Sequence, residues 1–100
     1  ISGSGPAYVF YFMQSMMESA ASMGFSVSES ELLVSQTFLG AIELYMKSDF
    51  SCFEWIQKVA SRGGTTEAAL ASFTGHTVNQ HIGIGLEEAR LRAEALGKSS

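Results

Sequence analysis

The sequence predicts an all-α fold of about five helices, and three observations carry that prediction. First, Ser/Thr-x-x-Glu/Gln patterns recur at Ser28–Glu31, Ser51–Glu54 and Thr77–Gln80, each a signature of a helix start. Second, no segment alternates apolar and polar residues over the length of a strand. Third, the one proline is Pro6, placed where a helix begins, so no helix interior is broken.

The elements follow in order. Pro6 opens a first helix that runs to Met23, and Gly24 supplies a stop. Ser28 and Glu31 cap a second helix. Its apolar residues Leu32, Leu33, Phe38, Leu39, Ile42 and Tyr45 or Met46 form one broad face, and it ends near Lys47, a cation that suits a helix C-terminus. Ser51 and Glu54 start a short third helix over Cys52 to Ala60, with Phe53, Trp55, Ile56 and Val59 on an apolar face. Ser61-Arg62-Gly63-Gly64 reads as a loop. Thr65 and Thr66 cap a fourth helix through Phe73, with Gly75 as its stop. Thr77 and Gln80 open the last helix, which reaches about Leu96 before Gly97. Gly83 and Gly85 lie inside it and cost roughly 1 kcal/mol each relative to alanine. Such residues also allow a neighbouring helix to approach closely.

The first helix is apolar on nearly all sides. Val9, Phe10, Phe12, Met13, Met16, Met17, Ala20 and Met23 leave it little polar surface. A helix of that kind is buried on most sides. Five short helices in 100 residues rarely enclose one of themselves, so a second copy is expected to cover it, in an intertwined homodimer; an ordinary central core helix is the alternative. Composition agrees: charged residues are 16% against a usual value of about 25%, too few to coat the surface of a monomer this small.

Composition also excludes classes. The net charge is −4, and the six Lys and Arg residues are scattered, so nucleic-acid binding has no electrostatic footprint. A single cysteine, Cys52, rules out an internal disulfide and a cysteine-based zinc site, and fits a reducing cytoplasm. The apolar run Ala7 to Met13 is far short of the roughly 20 residues that span a bilayer. No membrane association is expected. The chain starts with Ile1 and not Met, and is expected to be a segment of a longer product.

Among candidate sites, Ser61-Arg62-Gly63-Gly64-Thr65-Thr66 carries most. Two glycines let a ligand approach the backbone closely, and the following residues open a helix. Amides of Gly64, Thr65 and Thr66 at a positive dipole end suit a phosphate or a carboxylate. No lysine follows the glycines, so this is not a P-loop. A plain turn with a threonine cap is the alternative. Gly3-Ser4-Gly5 lacks a preceding strand and a third glycine, and fails the dinucleotide fingerprint. His76 and His81, five apart, are poorly spaced as metal ligands and read as surface or interface residues; no metal is expected. Cys52 has no neighbouring base in sequence to make it a nucleophile. Glu87 with Arg90 and Glu88 with Arg92 read as a solvated helix face.

These motifs, taken together, resemble a known family. Ser2-Gly3-Ser4-Gly5-Pro6-Ala7-Tyr8, then Met23-Gly24, then Thr37 to Ala41, then Ser61-x-Gly63-Gly64-Thr65-Thr66 look like the C-terminal helical dimerisation domain of Δ1-pyrroline-5-carboxylate reductase. The order and spacing fit along nearly the whole chain. The resemblance implies reduction of Δ1-pyrroline-5-carboxylate to L-proline by NADPH or NADH, with the nicotinamide held mainly by an N-terminal Rossmann domain outside these 100 residues. It implies a single helical domain over 1–100 that interlocks with a second copy, the dimers often assembling further. The imino-acid substrate would lie at the helix opened by the glycine-threonine loop. Backbone amides of Gly64, Thr65 and Thr66 would take its carboxylate, with Ser61 and Gly63 shaping the loop. The hydroxyl of Thr66 would hydrogen-bond the ring nitrogen, the one catalytic role, and Lys58 matches a position near the cofactor. The family usually has proline where this chain has Arg62, which loosens the loop or adds charge near the carboxylate. By itself the segment would not turn over. Two functions stay open: the dimerisation and substrate-binding domain of the reductase, and a non-catalytic helical module or a paralogue acting on another small carboxylate.

Overall fold

The computed structural model describes residues 3–61 and 64–99, with side chains through residue 97. Every regular element among the described residues is an α-helix: α1 (Gly5–Ser22), α2 (Val27–Met46), α3 (Cys52–Ala60), α4 (Gly64–Gly75) and α5 (Val78–Ser99). The expected all-α fold and the count of five helices are therefore correct. The chain divides into two compact units, Ser2–Phe53 and Glu54–Ser100, and α3 begins in the first and continues in the second.

In the first unit α1 packs on α2. Pro6 stands in the first turn of α1, where its missing N–H costs nothing. The helix ends one residue before the expected Met23, which becomes its C-cap. Gly24 follows at φ +108°. Its N–H donates to Ala21 O at 3.1 Å, and the Phe25 N–H reaches back to Ala20 O at 3.2 Å. That pair of bonds is a Schellman closure, and it satisfies two orphan carbonyls. A Cβ at Gly24 would meet no atom within 4 Å, so the glycine is required by its dihedral angle and not by space. Gly24→Ala is expected to destabilise the fold by about 1–2 kcal/mol, read from denaturant midpoints.

The capping box of α2 sits two residues before the expected one, at Ser26–Glu29 and not Ser28–Glu31. The Glu29 N–H donates to Ser26 Oγ at 3.1 Å, and the Ser26 N–H donates to Glu29 Oε1 at 2.8 Å. Both spacings are present in the sequence. What decides between them is backbone: the cap must be extended, and Ser26 (φ −67°, ψ 165°) lies just past the Schellman turn while Ser28 is already helical. Bonds from the Ser26 backbone and then its hydroxyl hold the Glu29 carboxyl below its ordinary pKa. A carboxyl depressed in the fold adds stability above its unfolded pKa, and that stability is lost as pH falls through the depressed value. Acidification should thus fray the start of α2. Helicity followed by circular dichroism should fall on the acid side in the native chain and less steeply in Ser26→Ala.

The contact between α1 and α2 leaves half-buried positions at Met13, Met17 and Ala20 on α1, facing a stripe of Ser30, Val34 and Phe38 on α2. Ser30 (2% exposed) and Val34 (5%) are the buried side chains among the described residues. The Ser30 hydroxyl is satisfied by Ser26 O at 2.9 Å, so its burial leaves no orphan donor.

In the second unit α4 packs on α5. Gly75 ends α4 but is not its left-handed stop. That conformation falls two residues later, on Thr77 (φ 52°), a β-branched residue that enters it only under constraint. The constraint is local: the His76 N–H and its Nδ1 both reach Ser72 O, at 3.0 and 2.8 Å, and the Thr77 hydroxyl donates to His76 O at 2.7 Å. The Thr77 carbonyl, not its side chain, then receives the Gln80 and His81 amides of α5. The expected side-chain cap there gives way to a backbone one. α5 passes through Gly83, Gly85 and Gly97 and ends at Ser99, beyond the expected Leu96. A penalty of about 1 kcal/mol per glycine does not stop a helix unless the next residue turns left-handed. Added Cβ atoms at Gly83 and Gly85 would meet nothing within 4 Å, so no described part of this protomer approaches them.

Candidate functional site

The last turn of α3 and the first turn of α4 flank the glycine-threonine loop. At the end of α3 the Ser61 N–H donates to Gln57 O at 3.0 Å, and its hydroxyl donates to Lys58 O at 2.9 Å. Ser61 therefore closes the helix, occupying carbonyls that its C-terminus would otherwise leave open. Lys58 lies in the same last turn and is exposed. Arg62 and Gly63 lie outside the described residues.

α4 starts at Gly64, two residues earlier than a Thr65 cap would place it. Thr65 and Thr66 therefore stand inside the first turn and do not cap it. First-turn amides need no partner within the helix, so a glycine's weak helix propensity opposes the early start very little. This shift matters for the chemistry. The amides of Gly64, Thr65 and Thr66 all become first-turn donors, directed along the axis at the positive end of a 12-residue helix. Gly64 and Thr65 are exposed and Thr66 is half-buried. A Cβ at Gly64 would meet nothing within 4 Å, which leaves open space beside the backbone for a ligand. Glu67 is the exposed acidic group of that turn, and its charge offsets part of the attraction that the positive helix end has for an anion. The arrangement can hold a small carboxylate through backbone donors. Of the residues singled out in the sequence, Lys58 and Ser61 meet at the end of α3, and Gly64, Thr65 and Thr66 share one turn of α4.

The other candidates resolve into structural roles. Each histidine ring binds a carbonyl through Nδ1, His76 to Ser72 O at 2.8 Å and His81 to Thr77 O at 2.9 Å, which leaves Nε2 outward. Among the described residues no group of three His, Cys, Asp or Glu is placed to hold a metal ion. Cys52 is exposed. The charged face of α5 is built on Arg90, which bonds Glu87 and reaches Glu94 at 2.7 Å. The expected Glu88–Arg92 pair does not form among the described residues. Arg90 can serve two carboxylates at once because its planar guanidinium presents several donors, and that draws Glu94 to it. The Arg90 guanidinium holds the Glu87 carboxyl below its ordinary pKa. Among the described residues no helix is long and apolar enough to cross a membrane.

The sequence does not mark Ser30 as buried or Thr77, expected as a cap, as left-handed. Ser30 could have been found from its i+4 spacing to Ser26 and Val34 along one face. The left-handed conformation of Thr77 carries no sequence signal, since it contradicts the preference of a β-branched side chain.

The family model described as pyrroline-5-carboxylate reductase dimerisation matches residues 1–96. A pyrroline-5-carboxylate reductase of Pseudomonas aeruginosa is 36% identical over 98% of this chain and 37% of its own length. That of Vibrio alginolyticus is 35% identical over 96% of this chain and 36% of its own. That of Pasteurella multocida is 40% identical over 81% of this chain and 30% of its own. The chain thus spans about a third of the length of these relatives. With the match running from the first residue to the last turns of α5, the chain belongs to the pyrroline-5-carboxylate reductase dimerisation family.

Proposed function

We propose that this chain is the dimerisation and substrate-binding part of a reductase that converts Δ1-pyrroline-5-carboxylate to L-proline with NADPH or NADH, in the cytoplasm. The family match over residues 1–96 is the observation that carries this reading. The first turn of α4 supports it, because its backbone donors suit a small carboxylate.

In this reading the substrate carboxylate binds the amides of Gly64, Thr65 and Thr66, with Ser61 and Gly63 shaping the loop. The Thr66 hydroxyl bonds the ring nitrogen and fixes the face of the C=N bond presented to the donor. When bound, the nicotinamide supplies a hydride, and the imine becomes a secondary amine. A protonated imine is already electrophilic, so orientation and charge complementarity are what the protein must add. The described residues contain no strand, and so no strand–glycine–helix cradle for a pyrophosphate. The cofactor is accordingly assigned to a Rossmann domain in the remaining length of a longer protein, with Lys58 at its margin.

The partner proposed is a second copy, with higher assembly from dimers. The exposed apolar surface supports this. On α1 alone Val9, Phe10, Tyr11, Phe12 and Met16 are exposed. A run of exposed apolar side chains on one helix supports an interface there.

The test is direct. The full-length protein that carries this segment is purified and mixed with Δ1-pyrroline-5-carboxylate and reduced nicotinamide. Loss of NAD(P)H absorbance with stoichiometric proline is the expected result. A full-length protein that binds a second copy but forms no proline would leave the helical interaction module and overturn the enzyme.

A further inference from the structure

We draw no further inference here: the strongest candidate, the groove of about 420 Å³ between α1 and α2 lined by Phe10, Met13, Met17, Ala21 and Val27, is an unpartnered apolar face, and nothing in the structure shows what covers it beyond the second copy that membership of a dimerisation family already implies.

Discussion

Thr66→Ala in the full-length protein should lower turnover about 10- to 100-fold, the equivalent of one hydrogen bond to a charged group. The fold should barely notice. Thr66 lies in the first turn of α4 and is only half-buried, and alanine is a better helix former than threonine. Thermal unfolding of the variant should therefore stay within about 1 kcal/mol of the native protein. Thr66→Ser, which keeps the hydroxyl and drops a methyl group, should recover most of the rate. The pattern separates a substrate contact from a structural one: a purely structural threonine would show its loss in stability and not in rate. Native turnover and native substrate affinity in the alanine variant would remove Thr66 from the site. The proposed carboxylate contacts would be less exposed to mutation, because backbone amides are carried by every residue but proline.

Phe10→Asp should convert the dimer to monomers. Phe10 is 65% exposed in the protomer, so within one chain an aspartate there meets water and costs little. In a symmetric dimer the same change acts twice. Each copy loses the burial of an aromatic ring, about 1.5–3 kcal/mol, and places a carboxylate at an apolar contact. The dissociation constant should rise at least ~1000-fold, or about 4 kcal/mol. Sedimentation equilibrium reads it, and the melting temperature of the native dimer should rise with protein concentration. An unchanged dissociation constant would take the α1 face out of the interface.

The expected periodicities and stops placed all five helices to within three residues at each end. These are local matters: a proline at the first turn of α1, a glycine after it, and apolar residues at helical spacing on α2. Where the reading slipped, two local solutions were both present in the sequence. Ser26–Glu29 and Ser28–Glu31 have the same capping spacing, and only the extended backbone left by the turn at Gly24 selects the first. Gly75 and Thr77 compete for the left-handed position, and the hydrogen bonds of His76 and the Thr77 hydroxyl give it to the residue with the weaker preference. Arg90 was expected to pair with one carboxylate and bonds two.

The candidate site divides in the same way. The sequence by itself determined that two glycines and two threonines precede a helix, that the chain is helical throughout its regular elements, and that α1 is too apolar to stand in water. Those follow from composition and spacing. Only the tertiary structure decided that α4 begins at Gly64, which turns Thr65 and Thr66 from caps into first-turn donors. It alone decided that Ser30 and Val34 are buried while Phe10 is left outside. The physical reason is that hydrophobic spacing specifies which face of a helix seeks cover, but which face obtains it depends on the neighbour against which that helix packs.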